Sequence, residues 1–131
     1  MILRQNVAQV AATLRHSTPG IRRVALAHAD GEPFADDLTV GDPATDDPAA
    51  DPVRFAALAA ATVELAQRSS AVGGLGGVAA VTVRGPDSTL LVTPVGAAWV
   101  LAVVAEPQVN LVLLDRILSR QVEHLIGLDG G

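Results

Sequence analysis

The sequence predicts an α/β (α+β) domain in which a five-stranded, mostly antiparallel sheet carries helices on both faces. Three segments repeat apolar residues at helical spacing, five shorter apolar runs are separated by turn residues, and these elements follow in the order α-β-β-α-β-β-β-α. Helices on both faces of such a sheet would bury the aliphatic side chains. A chain of 131 residues fits one hydrophobic core, so we expect a single domain over residues 1–131.

Composition restricts both the core and the function. Half of the residues are hydrophobic but only 2% are aromatic, so the core should be aliphatic. There is no cysteine, which excludes disulfides, a thiol nucleophile and thiolate metal sites. The net charge is −5, and the nine arginines are scattered, whereas nucleic-acid binding requires clustered cations. We therefore expect no nucleic-acid partner. The lysine-free, alanine-rich usage is typical of a GC-rich genome and indicates a bacterial source.

Two further features of the sequence indicate a cytoplasmic protein. The segment Met1–Asn6 lacks the apolar core of a signal peptide. The longest uncharged apolar stretch in the C-terminal half, Ala97–Ala105, is far shorter than the roughly 20 residues needed to span a bilayer. We therefore expect no membrane insertion and assign this stretch to a buried strand.

The first helix is predicted from an apolar stripe, and a hairpin should follow it. The stripe comprises Leu3, Val7, Val10 and Leu14. The helix should end at Thr18-Pro19-Gly20, since proline disfavours helical geometry in the residue before it. The strand Val24–Ala27 then leads to Asp30-Gly31, a strong hairpin signal. The second strand, about Glu32 to Asp36, contains Pro33 and should lie at a sheet edge, because proline cannot donate to a ladder.

An acidic loop is predicted at about residues 36–52. From Asp36 to Asp51 the chain carries six aspartates and two prolines and shows neither the helical nor the strand period. We interpret the segment as a solvated connector. A calcium loop is the alternative, but the segment lacks the alternating ligands, central glycine and closing glutamate of such loops.

The second helix, from Val53 to about Gln67, is unusually apolar. Asp51 can cap it, and Pro52 is acceptable in its first turn. Its polar positions are Arg54, Thr62, Glu64, Gln67 and Arg68. A helix with so few polar residues is usually buried on more than one side. We therefore expect it to pack against its own sheet and against a second copy of the chain.

The second half predicts a three-strand meander and a third helix. The strands are Val78–Val83, Thr89–Pro94 and Trp99–Ala105, separated by turn clusters. The last strand is apolar at successive positions and should lie at the centre of the sheet, covered on both faces. Asn110 can cap the third helix. The apolar stripe of that helix comprises Leu111, Leu114, Leu118, Val122 and Leu125.

The sequence shows no set of residues that indicates catalysis. The run Gly73–Gly77 lacks the Lys-Ser/Thr ending of a nucleotide P-loop and precedes a strand instead of a helix. The histidines His16, His28 and His124 lie in different elements without metal-ligand spacing. No serine stands in a Gly-x-Ser-x-Gly elbow. We therefore expect that the protein is not an enzyme and uses no cofactor and no metal.

Seven segments, taken in order, carry a resemblance to a known family. They are Pro19-Gly20-Ile21, Val24-Ala25-Leu26, Asp30-Gly31-Glu32-Pro33, the alanine-rich helix Phe55–Ala66, the link Gly73–Gly77, Leu90–Gly96 and Leu101-Ala102-Val103. Together they resemble the roadblock domain family, which is named after dynein light-chain proteins and includes bacterial regulators of Ras-like GTPases. The resemblance covers about Val7 to Leu125 and implies a profilin-like fold. The acidic loop at Gly41–Asp51 is longer than the usual link in the family.

The resemblance also implies a homodimer, in which helix two packs against its symmetry mate and the third strand pairs with itself. This agrees with the doubly apolar helix. Leu58, Ala61 and Leu65 are the expected helix contacts, and Ala80 and Thr82 the expected strand contacts. The alternative is that these five are ordinary core residues of one chain.

The function implied by the resemblance is that of a non-catalytic regulator or adaptor. It would bind a Ras-like small GTPase and alter its nucleotide cycle or its localisation. Arg54 and Arg68 are candidate partner contacts, with plain solvated charges as the alternative. The alternative function is a purely structural dimerisation or scaffold subunit of a signalling or motor complex.

Overall fold

The helices and strands follow the predicted order in the computed structural model, which describes residues 1–38 and 51–130. The helices are α1 (Arg4–Ser17), α2 (Pro52–Gly73) and α3 (Leu111–Gly130). The strands are β1 (Ile21–His28), β2 (Pro33–Leu38), β3 (Val81–Arg84), β4 (Thr89–Val95) and β5 (Trp99–Ala105). The predicted fold class is thereby confirmed.

The described strands form one antiparallel sheet in the order β2-β1-β5-β4-β3. The apolar strand β5 lies at the centre, between β1 and β4, as predicted. The two edges are β2 and β3. Pro33 begins β2, so the predicted placement of this proline on an edge strand is confirmed.

The sheet separates two apolar layers. α1 and α3 cover one face, where Leu14, Leu101 and Leu114 are fully buried. α2 covers the other face, where Phe55 and Ala102 belong to a second buried cluster. Successive residues of β5 supply the two layers in turn, because side chains alternate across a strand. α2 is therefore held to the sheet by one side only, and its opposite side faces outward.

Side-chain caps begin two of the helices where the sequence predicted them. The Asp51 carboxylate accepts a hydrogen bond from the Val53 N–H at 3.0 Å at the start of α2. At the start of α3, the Asn110 side-chain oxygen accepts one from the Leu113 N–H at 3.1 Å. Each cap satisfies a backbone donor that the first turn leaves unpaired.

The predicted end of the second helix was wrong. α2 continues past Gln67 to Gly73 and stops at Gly74, whose φ is +70°. The serines near its end do not break the helix, since the Ser69 hydroxyl donates to the Leu65 carbonyl one turn earlier at 2.9 Å.

The predicted start of the third strand was also wrong. β3 begins at Val81 instead of Val78, and it ends at Arg84. Before it, the Thr93 hydroxyl donates to the Ala79 carbonyl at 2.9 Å. A side chain therefore holds this stretch to β4 where the sequence predicted a backbone ladder.

β2 extends into the region predicted as an acidic loop. Asp36 and Asp37 lie in this strand, which ends at Leu38. Their carboxylates are bound by Arg23 and Arg15, respectively, which explains how two adjacent acidic residues fit an edge strand. Residues 39–50 of the predicted loop lie outside the described residues.

Candidate protein interface

The outer side of α2 carries the three residues predicted for helix contacts. Leu58 and Leu65 expose 55% and 67% of their surface, and Ala61 between them is also exposed. Spacings of three and four residues place these side chains on one side of the helix. They form the centre of a surface that we call the α2 stripe. Large apolar side chains grouped on a surface are typical of an interaction site.

A groove lies between α2 and β3. Its volume is about 700 Å³, and its walls are mostly apolar. Its lining includes Thr62, Leu65 and Ser69 of α2 and Val81, Thr82 and Val83 of β3. Leu65 thus belongs both to the α2 stripe and to the wall of the groove. The groove and the stripe form one continuous surface that ends at the outer edge of β3.

The outer edge of β3 presents backbone groups that no described strand pairs with. The Gly85 N–H donates to the Ser88 carbonyl at 2.9 Å in the turn between β3 and β4. Bonded residues alternate along an antiparallel ladder, so Val83 is bonded to β4 while the backbones of Thr82 and Arg84 point away from it. An edge of this kind is a template for a further strand.

The two residues predicted for strand contacts, Ala80 and Thr82, lie in different surroundings. Thr82 lies in β3 and is exposed. Ala80 lies one residue before β3, is partly buried, and packs against the apolar layer of α1 and α3. Thr82 is therefore available at the open edge, whereas the side chain of Ala80 contributes to the core of its own chain.

Val83 is an interface candidate that sequence reasoning missed. It exposes 50% of its surface and lines the groove. Its ladder partner Leu90 packs in the α2 layer, so Val83 lies on the same face of the sheet as α2. Exposed Val72 and Leu75, at and after the end of α2, extend the apolar surface. The alternation of Val81, Thr82 and Val83 was the available signal, but it does not tell which apolar side chain stays uncovered.

Arg54 and Arg68, the predicted partner contacts, are both exposed on α2. Positions 54, 58, 61, 65 and 68 follow helical spacing, so the arginines flank the apolar residues of the α2 stripe. Arg68 donates to the Glu64 carboxylate at 2.6 Å, one turn earlier. An exposed pair of this kind contributes little to stability. The Arg68 guanidinium can therefore exchange this partner for another anionic group.

The glycine-rich link after α2 is held in place by buried Ser70. The Ser70 hydroxyl accepts a hydrogen bond from the Gly77 N–H and donates one to the Gly77 carbonyl, each at 3.0 Å. This link joins the end of α2 to the approach to β3. Ser70 and Gly77 both line the groove, so their hydrogen bonds fix one end of its wall.

Other chemistry-bearing side chains make structural contacts. The His28 ring stacks on Trp99, with the ring centroids 4.3 Å apart. In residues 1–38 and 51–130, no three His, Asp or Glu side chains form a group able to hold a metal ion. No helix in these same ranges has the length and apolarity needed to cross a membrane.

Comparison with protein families identifies the domain. Residues 8–105 match the Roadblock/LC7 domain, from α1 through β5. The chain belongs to the Roadblock/LC7 family. This confirms the resemblance found in the sequence, and the matched range contains both α2 and β3, which form the candidate interface. Among curated proteins, none matches the chain in sequence.

Solved structures show the same fold at low sequence identity. A Roadblock/LC7 domain from Streptomyces avermitilis is 20% identical, with a TM-score of 0.80 over 100% of both chains. MglB from Myxococcus xanthus is 19% identical, with a TM-score of 0.80 over 96% of this chain and 95% of that one. A structure of MglB with a tetrameric arrangement has a TM-score of 0.79 at 19% identity, over 94% of this chain and 87% of that one.

The fold is also similar to that of profilin. Profilin II from Acanthamoeba castellanii has a TM-score of 0.53 at 15% identity, over 95% of this chain and 97% of that one. The profilin-like architecture implied by the resemblance is thereby confirmed.

Proposed function

We propose that this chain is a non-catalytic, homodimeric regulator or adaptor that binds a Ras-like small GTPase in the bacterial cytoplasm. It would alter the nucleotide cycle of the GTPase or its localisation. Membership of a family that includes bacterial regulators of Ras-like GTPases supports this proposal. The observation that carries it is the open edge of β3 beside a mostly apolar groove and the exposed α2 stripe.

The dimer is proposed because a second copy would pair with the open edge of β3 and cover the groove and the α2 stripe. Pairing β3 with its symmetry mate would satisfy the outward backbone groups of Thr82 and extend the sheet across the two chains. The same arrangement would bring the second α2 toward the groove and cover Leu58, Leu65 and Val83. Ala61 lies at the centre of the stripe, where a small side chain permits close approach of two helices.

The partner surface is proposed to include the arginines that flank the α2 stripe. Arg54 and Arg68 are exposed cations on a chain with a net charge of −5, so they stand out against an acidic background. In a dimer, two copies of α2 would present both pairs of arginines beside each other. An acidic patch on the GTPase would complement them, and such complementarity mainly accelerates association.

A regulator of this kind needs no catalytic group of its own. Holding the GTPase in a productive conformation would orient the GTPase's own residues around the nucleotide, and positioning of this kind is a large part of phosphoryl-transfer catalysis. Such a regulator would bind the GTPase in one nucleotide state, whereas a scaffold subunit would bind its partner whichever nucleotide is present. The state of the bound nucleotide therefore separates the two functions.

The test is a pull-down with the tagged chain from a lysate of the source organism, in parallel with a GTP analogue and with GDP. We expect mass spectrometry to identify a small GTPase recovered in only one nucleotide state. The double variant Arg54→Glu/Arg68→Glu should recover less of it. The matched control Arg116→Glu/Arg120→Glu makes the same change in charge at exposed positions of α3 and should recover as much as the wild type.

Other outcomes would overturn particular parts of the proposal. Recovery of other proteins regardless of nucleotide would favour the scaffold subunit. Equal recovery of the GTPase by both double variants would place the contact away from Arg54 and Arg68.

A further inference from the structure

The two edges of the sheet are built in opposite ways. β3 has a continuous register with β4 and an apolar groove beside its outer edge. β2, the other edge, combines several features that oppose pairing with a further strand. Proteins protect exposed strand edges with proline, bulges and charged side chains that point inward. β2 has all three.

The first half of β2 is irregular and capped. Pro33 has no N–H to offer a neighbouring strand. The register shifts between Leu26 and Ala27 of β1, which leaves Phe34 as a bulged residue without a ladder partner. The carbonyl of Phe34 instead accepts a hydrogen bond from the Arg4 guanidinium of α1 at 3.2 Å.

The second half of β2 is held by charged side chains on both faces. On the α1 face, Arg15 donates to the Asp37 carbonyl at 3.1 Å and also binds the Asp37 carboxylate. On the α2 face, Arg23 binds the Asp36 carboxylate through two nitrogens. A new strand beside β2 would meet a bulge whose Phe34 carbonyl is already bound by Arg4. It would also meet the charged side chains of Asp36 and Asp37, which Arg23 and Arg15 hold in place.

We propose that Arg4 and Arg15 of α1 guard the β2 edge, so that association through β3 stops at two chains. This inference rests on the proposed dimer, because a sheet continued through two copies of β3 would end in β2 on both sides. If those two ends could pair, each dimer would add to the next and grow into an open chain. The guard makes β3 the pairing edge and β2 the closed one.

The contacts that Arg4 and Arg15 make with β2 can be removed by substitution, and a control variant can remove the same side-chain types elsewhere. The test variant is Arg4→Ala/Arg15→Ala/Asp37→Ala, which frees the Phe34 carbonyl, removes the Arg15–Asp37 ion pair and leaves no unpaired carboxylate at position 37. The control is Arg116→Ala/Arg120→Ala/Asp115→Ala, which removes the same three side-chain types from exposed positions of α3. Sedimentation velocity gives the size distribution over a range of concentrations, and far-UV circular dichroism checks that each variant is folded.

We expect the test variant to form species larger than the dimer in a concentration-dependent way, while the wild type and the control do not. A folded test variant that keeps the wild-type size at every concentration would overturn the proposal, as would a control that also grows. If the triple variant fails to fold, Arg4→Ala alone frees the Phe34 carbonyl and should give a smaller shift in the same direction. An unchanged size for that single variant would then overturn the proposal.

A second background separates this proposal from the dimer on which it rests. Thr82→Pro removes an N–H that points away from β4, so it should block pairing at β3 while leaving the chain folded. With the guard removed in this background, we expect association through β2 that Thr82→Pro alone does not show. A wild type that is monomeric would overturn the β3 dimer. The proposal for Arg4 and Arg15 would still be tested by comparing Thr82→Pro alone with Thr82→Pro combined with the triple variant. Equal sizes of these two variants would overturn it.

Discussion

Glycine is required at position 31 by its backbone conformation. Its φ is +96°, and a Cβ there would lie 3.4 Å from the Cα of Ala57 in α2. We expect Gly31→Ala to lower the free energy of unfolding in urea by about 1–3 kcal/mol, because the alanine would be held in a strained conformation. Gly127→Ala is the control: it lies in α3 with nothing within 4 Å of a Cβ and should raise the same quantity by about 1 kcal/mol. Equal effects at the two positions would contradict this account.

The ion pair between Arg23 and Asp36 is the buried polar contact of the edge strand β2. The two side chains expose 6% and 12% of their surface, and the Arg23 guanidinium lies 3.9 Å from the centroid of the Phe55 ring. Asp36→Ala removes the carboxylate that binds this buried guanidinium, so we expect the free energy of unfolding to fall by about 3–5 kcal/mol. Glu64→Ala breaks the exposed pair with Arg68 and should cost less than about 1 kcal/mol. Chemical denaturation of both variants provides the comparison. Similar decreases in the free energy of unfolding would show that burial does not determine how much the Arg23–Asp36 pair stabilises the fold.

Among the elements, α2 has one face that makes the core and another that makes the proposed interface. Ala61 lies on the outer face, so an arginine there meets no part of its own core. We expect Ala61→Arg to be folded and monomeric by light scattering, because the long charged side chain would keep the second α2 away. Ser119→Arg introduces the same side chain on exposed α3 and should leave a dimer. A folded Ala61→Arg chain with the mass of the wild type would contradict the helix contact.

The elements differ in how well their sequence predicts them, and the reason is where their partners lie. β5 was predicted to the residue, since Trp99–Ala105 is apolar throughout and is preceded by a turn signal. The predicted β2 stopped at about Asp36, before the observed end at Leu38, because Asp37 and Asp36 resemble loop residues. The arginines that bind them lie 22 and 13 residues away in the sequence, so local pattern does not reveal the pairs.

The candidate interface was predictable only in part, for a similar reason. The composition of α2 predicts an outer apolar face, and Leu58 and Leu65 are indeed exposed. Val83 was missed because an alternating strand shows two faces without telling which one another element covers. Only the position of α2 shows that β3 extends beyond its cover and leaves a groove.

At the scale of the whole molecule, the asymmetry of the sheet edges links the fold to the proposed function. The groove, the α2 stripe and the outward backbone of β3 meet on one side, while Arg4 and Arg15 of α1 bind β2 on the other side. A two-fold pair formed at the open side would bring two copies of α2, with their exposed arginines, onto one surface. A GTPase would then contact a surface that a single chain does not provide.

The mass of the particle in solution tests this account most directly. Light scattering of the wild type and of Thr82→Pro, at several concentrations, should give twice the chain mass of 13.4 kDa for the wild type and the mass of one chain for the variant. A wild type with the mass of a single chain at all concentrations would contradict the central claim, and so would a Thr82→Pro chain that dimerises as tightly as the wild type.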